Sequence, residues 1–403
     1  MTATEAPETL SADERRVNDL LDDLLSSFPP ASTDPQVFLG EQFDRGLAWV
    51  HFPEGHGGLG LSPKLQKTIN ERIFGAGGPN PMYRNPIGHG MCGPTVVMWG
   101  SEEQKQRYLR PLFTGEEIWC QLFSEPGSGS DFAGLSSTGV RDGEEWIVNG
   151  QKVWTTLAHL SRWGLLVVRT DPQAVKHAGL TAFVVDMQDP TVEIRPLRQM
   201  TGEAEFNEVF FSDTRIPHSE MLGNPGDGWR VSLTTLMNER VSIGGAIPAK
   251  GSGTISALTK TWADLPAERK TPETLDEVMK LWSRAEVLRL TNIRANQMRK
   301  TGDPGPEGSI GKMASADLNK DIYAAVMNLL GADGMLYGSY EMIRPETAMG
   351  SDTLQKAFLR SRANSIEGGT TEVMKNILGE RVLGLPGDIR VDRDKPWSEV
   401  PRN

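Results

Sequence analysis

Hydrophobic residues recur with three different rhythms along the chain, and the first rhythm is helical. Within residues 1–117, the stretch RRVNDLLDDLLSSF places its apolar residues on one side of a helix, and a second helical stretch runs from Thr95 to Leu112. Gly- and Pro-rich connectors such as FPEGHGGLG separate these stretches. The pattern therefore predicts an N-terminal helical domain over residues 1–117.

The second zone, residues 118–225, consists of short apolar runs that alternate with turn residues, as in EWIVNGQKVWT and LTAFVVDM. Asn149-Gly150 lies between two such runs, and this dipeptide favours a two-residue hairpin turn because both positions need a positive φ. The zone therefore predicts a middle domain of antiparallel strands with a hairpin turn at Asn149-Gly150.

The third zone, residues 226–403, returns to helical spacing. Its long periodic stretches cover residues 229–243, 279–300, 309–330, 352–366 and 371–383. Several helices of this length suit a helical bundle. The three zones together predict an α+β protein whose C-terminal domain is such a bundle.

Composition narrows the possible partners and the compartment. Asp and Glu number 53 and Lys and Arg number 42, so the net charge of −11 argues against a dedicated nucleic-acid binder but not against a polyanionic small molecule. The two cysteines, Cys92 and Cys120, are too few for a disulfide framework or a Cys-rich zinc site. No apolar run reaches the ~18 residues of a membrane helix, and the acidic N-terminus resembles neither a secretory signal nor a transit peptide. We expect a cytoplasmic protein with no membrane span and no metal site.

Several common cofactor and nucleophile motifs are absent from the sequence. No G-x-G-x-x-G follows a predicted strand, and neither G-x-S-x-G nor H-E-x-x-H occurs. The sequence therefore gives no sign of a nicotinamide-binding fold, an α/β-hydrolase elbow or a zinc peptidase helix.

Two other segments carry candidate chemistry. In SEPGSGSDFAG (124–134), Gly127 and Gly129 lack side chains, so that a planar or phosphorylated ligand could approach the backbone, and neighbouring serines supply hydroxyls. Taken alone, this segment fits a polar turn equally well. In NGQKVWTT (149–156), an indole is followed by two hydroxyls, which suits a ring system with polar atoms, although such a Trp is often a core residue.

Together these segments resemble the acyl-CoA dehydrogenase family. SEPGSGSD resembles the family signature T-E-P-x-A-G-S-D, and NGQKVWTT resembles N-G-x-K-x-W-I-T. Further similar segments are GSEEQKQRYLRPLFTGE (100–116), FNEVFFSDTRIPHSEMLG (206–223), LLGADG (329–334) and IEGGTTEVMKNILGERVLGLP (366–386). The resemblance implies an N-terminal helical domain (1–117), a middle antiparallel β-barrel (118–225) and a C-terminal four-helix bundle (226–403).

The resemblance also implies an activity and partners. It implies FAD-dependent α,β-dehydrogenation of an acyl-CoA thioester, in which a carboxylate removes the α-proton while flavin N5 accepts the β-hydride. The electrons then pass to an electron-transfer flavoprotein. The assembly implied is a homotetramer, or a mixed tetramer with a paralogue.

Residue by residue, the resemblance assigns contacts to matching positions of this chain. Phe123, through its backbone, and Ser124 would lie beside the flavin, together with Trp154 and Thr156, and Ser130 would contact the CoA portion. The positions implied near the FAD diphosphate and ribose, some of them reached across a subunit interface, are Leu329, Gly331, Thr370 and Glu372.

The catalytic base departs from the commonest family pattern. Many members read Y-E-G-T with that Glu as base, but here Gly368 stands at the base position and Glu367 at the Tyr position. Members of the isovaleryl-CoA dehydrogenase type instead carry the base on the first helix of the bundle, where this chain has Glu239 followed by Arg240. The resemblance implies that Arg240 binds substrate, and if the Gly-Gly pair is an insertion, Glu367 becomes the base.

The residues themselves also favour Glu239. Ser232, Leu236, Glu239 and Ile243 fall on one helical face, and a carboxylate on a largely apolar stripe is costly unless it is paired or used. Desolvation would raise the pKa of this carboxyl, which suits a proton acceptor for a weakly acidic carbon. The alternative is a structural ion pair with Arg240.

A second departure concerns the adenine side of the FAD. Residues 263–280 lack the R-x-x-F-G motif that many members carry there. This absence favours a non-catalytic subunit of a mixed tetramer, whereas the intact SEPGSGSD, the Trp-Thr-Thr run and Glu239 favour an enzyme. An oxidase-like or monooxygenase-like flavoenzyme on the same fold is a further alternative.

Overall fold

The computed structural model describes residues 10–244, 247–299, 308–347, 353–390, 392 and 394–401, without the side chains of residues 239–244 and 299. Its N-terminal part is helical, as the periodicity predicts. The helices are α1 (Ala12–Ser27), α2 (Pro35–Asp44), α3 (Leu65–Gly75), α4 (Gly93–Trp99) and α5 (Glu102–Thr114).

Helix capping explains one difference from the predicted helices. The stretch from Thr95 to Leu112 does not form one continuous helix. Helix α4 ends at Trp99, and Ser101 is the N-cap residue of the next helix, α5. The Ser101 side chain accepts the Gln104 backbone amide while Gln104 reaches back to Ser101, which is a capping box. This reciprocal pair satisfies two backbone donors that a continuous helix would have used internally.

The middle part is a single sheet whose strands are β1 (Trp119–Leu122), β2 (Thr138–Asp142), β3 (Glu145–Thr156), β4 (Trp163–Arg169), β5 (Leu180–Asp186), β6 (Val192–Pro196), β7 (Phe206–Pro217) and β8 (Met221–Leu222). The strand order is β6-β7-β3-β2-β4-β5-β8, with β1 beside β4. The predicted β-barrel is not confirmed because the sheet is open, and within the described residues no ladder joins the end strands β6 and β8. The prediction of purely antiparallel strands is wrong, since β4 pairs in parallel with β1 and with one residue of β2.

The hairpin predicted at Asn149-Gly150 is also wrong. Both residues lie inside β3, and the chain turns earlier, across residues 142–145, where Gly143 has a φ of 63°. Gly150 serves a close approach instead, because a Cβ atom there would lie 2.2 Å from the Ser137 hydroxyl oxygen. β3 therefore runs on past the dipeptide and carries its far end into the candidate site.

The sheet has a hydrophobic core on each face. One core includes Phe113 of α5, Trp119 of β1 and Val231 of the first C-terminal helix, so it joins all three parts of the chain. The other core, on the opposite face, includes Phe183 and Val209. The sheet thus holds the N-terminal helices and the start of the C-terminal helices in fixed positions.

The C-terminal part is helical, as predicted. Its helices are α6 (Gly228–Gly244), α7 (Thr254–Asp264), α8 (Pro272–Arg299), α9 (Gly308–Leu330), α10 (Leu354–Arg360) and α11 (Thr371–Arg381). Helix α9 is central and packs against α7, α8, α10 and α11. The boundaries predicted at residues 117/118 and 225/226 stay predictions. None of the described helices has the length and apolar character needed to cross a membrane.

Candidate functional site

The loop that follows β1 lies directly against strand β3. The Val153 amide donates a hydrogen bond to the Ser124 carbonyl oxygen at 2.9 Å, and Lys152 Nζ donates to the Phe123 carbonyl oxygen at 3.1 Å. The structure therefore brings Phe123 and Ser124 together with the strand end that carries the other two predicted flavin contacts.

A buried ion pair holds this junction. Glu125 Oε1 lies 2.8 Å from Nζ of Lys152, whose side chain is fully buried. The Glu125 carboxylate also accepts the backbone amides of Ser136 and Ser137 at 2.7 and 3.0 Å. Burial alone would raise the pKa of the Glu125 carboxyl, but the Lys152 charge and these hydrogen bonds outweigh it and lower the pKa to about 2. The carboxylate therefore stays charged at neutral pH and fixes the loop on the strand.

Glu125 and Lys152 hold this junction together, and the sequence patterns did not predict their pairing. Both lie inside the two segments of candidate chemistry, SEPGSGSD and NGQKVWTT. The available signal was a lysine directly before an apolar strand residue, Val153, because a buried charge is costly unless an opposite charge meets it.

Trp154 stands at an irregular point of β3. Its φ of 61° lies in the left-handed region, which is strained for a residue with a Cβ atom, and the register between β3 and β7 shifts there. The indole is 58% exposed and meets the Phe206 ring edge-on, with ring centroids 5.8 Å apart. Thr156, which is half-buried, pairs with Phe206 in the ladder. An exposed indole held in a strained backbone is suited to cover a flat ring.

The Ser- and Gly-rich loop presents an open backbone. A Cβ atom built on Gly127 or Gly129 would meet no described atom within 4 Å, so a ligand has room to approach the chain there. Ser128 is buried, and its hydroxyl bonds back to main-chain carbonyls of the loop. Ser130 is exposed, with Oγ 3.5 Å from Thr370 Oγ1. The loop therefore meets the C-terminal helices at Thr370.

Thr370 begins helix α11. Its hydroxyl accepts the Val373 amide at 3.2 Å, and Gly368 and Gly369 precede it with φ values of 63° and 95°. The hydroxyl of Thr371 is buried and has no hydrogen-bond partner among the described residues. A helix N-terminus attracts anions, so this corner suits a phosphate group.

These observations fit an FAD molecule. The exposed face of Trp154 offers a wall for the flavin ring, and the open loop leads from it to the start of α11, where the unpartnered Thr371 hydroxyl and the helix dipole suit a diphosphate. Glu372 is exposed in the first turn of α11 and would suit a ribose hydroxyl rather than a phosphate.

Leu329 and Gly331 lie at a different place, the C-terminal end of α9. The Leu329 side chain is buried in the core of the helical part, and its carbonyl accepts a hydrogen bond from Arg269. No hydrogen bond in the described part of the chain links these residues to the loop at Ser124 or to Trp154. Their predicted contact with an FAD bound by a neighbouring subunit stays a prediction.

Glu239 and Arg240 lie in the last two turns of α6, and their side chains fall outside the described residues. The preceding turns are fixed: Ser232 and Thr235 are fully buried, and the Thr235 hydroxyl lies 2.9 Å from the Thr95 hydroxyl of α4. Glu239 follows Thr235 by four residues, so its position continues the buried face of the helix. Its role as base stays a prediction.

The alternative base, Glu367, has both carboxylate oxygens occupied. Arg360 binds them in a fork, with nitrogen–oxygen distances of 3.1 and 2.7 Å, and the Asn364 side-chain amide donates to the same carboxylate at 2.7 Å. Both oxygens of the Glu367 carboxylate are therefore engaged by neighbouring side chains.

Three sequence models of acyl-CoA dehydrogenase domains match the chain in order. The N-terminal domain matches residues 29–116, the middle domain residues 120–214 and the C-terminal domain residues 226–383. The chain belongs to the acyl-CoA dehydrogenase family. It is accordingly an oxidoreductase that acts on acyl-CoA, and members of the family are FAD flavoproteins.

Named relatives agree with this membership. Acyl-CoA dehydrogenase IpdE1 from Mycobacterium tuberculosis is 36% identical over 348 residues, which are 86% of this chain and 86% of the relative. The human mitochondrial short-chain specific acyl-CoA dehydrogenase is 27% identical and matches 84% of this chain and 80% of its own length. The ChsE4-ChsE5 complex from Mycobacterium tuberculosis shares the fold, with a TM-score of 0.69 at 24% identity over 96% of this chain and 100% of the solved chain.

Proposed function

We propose that this chain is an FAD-dependent acyl-CoA dehydrogenase that converts an acyl-CoA thioester to the 2-enoyl-CoA. The observation that carries the proposal is one junction, at which the loop after β1, the end of β3 and the start of α11 meet. FAD, when bound, supplies the hydride acceptor for the substrate β-carbon. Glu239 takes the α-proton, and Arg240 binds substrate.

The chain's own residues would divide the remaining work. The backbone of Phe123 and Ser124, fixed by Glu125 and Lys152, forms one edge of the flavin site, and Trp154 and Thr156 form its wall. Ser130 faces the CoA portion. Thr370 and Glu372, together with Leu329 and Gly331 of a neighbouring subunit, complete the contacts to the dinucleotide.

The test is a cofactor analysis followed by an anaerobic reaction. We expect about one FAD per chain and bleaching of the flavin absorbance by one class of acyl-CoA thioester. Protein that is recovered without flavin, and that fails to bind added FAD, would refute the proposal. The class that bleaches the flavin identifies the acyl group.

Electron transfer distinguishes a dehydrogenase from an oxidase-like enzyme. We propose an electron-transfer flavoprotein as the acceptor, since a closed acyl site excludes oxygen from the reduced cofactor. Substrate-reduced enzyme should reoxidise quickly with an artificial acceptor and slowly in air. Hydrogen peroxide formed in step with turnover would instead indicate an oxidase.

The assembly is proposed to be a tetramer, either of one chain or mixed with a paralogue. Leu329 and Gly331 support an assembly because they lie at the C-terminal end of α9, where no hydrogen bond among the described residues links them to the junction at Ser124, which suits a contact to a neighbour's cofactor. The relative that is a complex of two differently named chains, ChsE4 and ChsE5, supports the mixed form. A monomer with full activity in solution would contradict both forms.

A further inference from the structure

Two cations of helix α10 bind a short acidic segment that directly precedes β7. Lys356 Nζ lies 2.5 Å from a carboxylate oxygen of Glu203, and Arg360 Nε lies 3.6 Å from Oε1 of Glu205. Arg360 also forms the fork with Glu367. We call these five residues the α10 charge cluster. It contains three carboxylates and two cations, so the carboxylates compete for positive charge.

The cluster lies directly behind the proposed flavin wall. The Arg360 guanidinium carbon is 5.9 Å from the centre of the Phe206 ring, within reach of a cation–π contact. Phe206 in turn meets the exposed Trp154 indole edge-on. Arg360, Phe206 and Trp154 therefore form a continuous line from the C-terminal helices to the candidate flavin site.

The backbone of Trp154 is strained, so the position of its indole depends on the contact with Phe206. The left-handed φ of Trp154 is an unfavourable conformation, and the β3–β7 register shifts between Lys152 and Thr155, where the ladder leaves Trp154 unpaired. The Phe206 ring is the aromatic contact of the indole among the described residues. A group that fixes Phe206 therefore also fixes the wall.

We propose that Arg360 is a positioning residue for Trp154, acting through Phe206, and that Glu205 and Glu367 share its guanidinium and so set its place. The proposal rests on the proposed FAD site. It also gives Glu367 a structural task, which is to anchor Arg360, and leaves the proton to Glu239.

The Glu205 carboxyl makes the position of the Arg360 guanidinium sensitive to pH. The charged groups that face Glu205 are Glu203 from the same segment, Lys356 and Arg360 from α10, and Glu367 from the turn before α11. Burial, opposed by Arg360, raises the pKa of the Glu205 carboxyl to about 7. Below that pH, Arg360 is held by Glu367 alone, and above it two carboxylates compete for the guanidinium.

A double-mutant cycle tests the line from Arg360 to Trp154. The dissociation constant of FAD is measured by titrating cofactor-depleted protein, for wild type, Arg360→Gln, Trp154→Phe and the double variant. We expect Arg360→Gln to weaken FAD binding about 3- to 10-fold, the worth of one aromatic contact, and to change the flavin absorbance band. The effect should shrink in the Trp154→Phe background, because the two residues act in series.

Lys356→Gln is the matched control, since it removes the neighbouring cation of the same helix and the partner of Glu203. It should leave the FAD dissociation constant within about 2-fold of the wild-type value. Its effect on the binding free energy should add to that of Trp154→Phe. Equal effects of the two substitutions, or full additivity for Arg360→Gln, would overturn the positioning role. Arg360→Lys keeps the charge but loses the planar guanidinium group, and it replaces Arg360→Gln in the cycle if that variant fails to fold. We expect its effect on FAD binding to shrink in the Trp154→Phe background in the same way.

The pH arm uses Glu205→Gln. Wild-type FAD affinity should change between pH 6 and pH 8, and the variant should show a flat profile over that interval. An identical slope in both proteins would overturn the role of Glu205. Wild-type protein that binds no FAD at any pH refutes the proposed function instead, so the two failures are distinguishable.

Discussion

Two buried glutamates flank the strand end that carries Trp154, and their surroundings differ. Glu125, in the loop after β1, meets the Lys152 ammonium at 2.8 Å and further backbone amides at hydrogen-bond distance. Glu205 on the other side meets Arg360 at 3.6 Å and shares it with Glu367. Similar burial thus accompanies a pKa of about 2 for the first carboxyl and of about 7 for the second.

The difference shows how the two halves of the candidate site are held. On the Glu125 side, each charge has a close partner, so burial strengthens the attraction and the junction is fixed. On the Glu205 side, the α10 charge cluster holds three carboxylates and two cations, so the position of Arg360 depends on which carboxylate is protonated. We infer that the ion pair between the loop after β1 and strand β3 supplies a fixed frame, whereas the contact between the segment before β7 and helix α10 supplies the adjustable groups. The C-terminal helices also carry the proposed proton acceptor, Glu239.

The sharpest test of this division removes the proposed proton acceptor. Glu239→Gln keeps the shape and the hydrogen-bonding capacity of the side chain but cannot take up the α-proton. We expect FAD content and acyl-CoA binding to persist while anaerobic flavin reduction slows by about 10²–10⁴-fold, the usual worth of a general base. Stopped-flow absorbance of the flavin measures the rate.

Glu367→Gln is the control for that experiment. Because Arg360 occupies the Glu367 carboxylate, this change should leave most of the reduction rate intact and act mainly on FAD affinity. Near-normal reduction in Glu239→Gln together with a large loss in Glu367→Gln would reverse the assignment of the base.

The fixed frame is tested at its ion pair. Glu125→Gln leaves the Lys152 ammonium buried without a counter-charge, and breaking a buried pair in this way costs about 3–5 kcal/mol. We expect that loss in the free energy of unfolding, measured with urea at pH 7. The double variant with Lys152→Met should recover most of it, and a double variant as unstable as the single one would argue that the charge is not the cause.

The same carboxylate predicts a pH dependence of known sign. Its pKa in the folded protein is about 2, below the ordinary value of 4.5, so the stabilisation is present above pH 4.5 and is lost as the pH falls towards 2. Wild type should therefore lose its advantage over Glu125→Gln in acid.

Local patterns predicted the helical and strand zones well, because periodicity is a property of neighbouring residues. The stretch that became α1 shows this, with Val17, Leu21 and Leu24 buried at helical spacing. The prediction of a turn at Asn149-Gly150 was wrong because contacts with a distant strand decide the conformation there. Pairing with β7 on both sides of the dipeptide, from Glu145 to Val148 and from Gly150 onwards, outweighs its turn preference.

The contacts within the candidate site were also beyond prediction from local patterns. Resemblance named Ser124, Trp154 and Thr370 one by one, but it carried no information on which of them touch. The pair Glu125–Lys152 spans 27 positions, and Arg360 meets a segment more than 150 positions earlier in the chain. Contacts of this kind depend on the whole topology, so no spacing in the sequence reveals them.

The adjustable contact at the α10 charge cluster is tested by replacing the Glu205 carboxyl with an amide. The pKa of Glu205 in the folded protein, about 7, lies above its ordinary value of 4.5, so folding favours the protonated form. The stability that this group contributes is present below pH 4.5 and is lost as the pH rises to about 7. The unfolding free energy of wild type, relative to Glu205→Gln, should fall by about 3 kcal/mol over that interval. A difference that stays constant with pH would remove the contrast between the two glutamates.

The smallest expected effect concerns Gly368, which the resemblance aligns with the position where many family members carry the base. Its φ of 63° is a conformation that costs a residue with a Cβ atom about 1–2 kcal/mol, so Gly368→Ala should lower the unfolding free energy by about that amount. Gly368→Asn is the matched comparison, because asparagine tolerates the left-handed region better, and it should cost less than alanine. Flavin reduction should remain dependent on Glu239 in both variants. If alanine and asparagine cost the same, the backbone conformation does not explain the glycine, and open space for the cofactor next to Thr370 becomes the better reason for it.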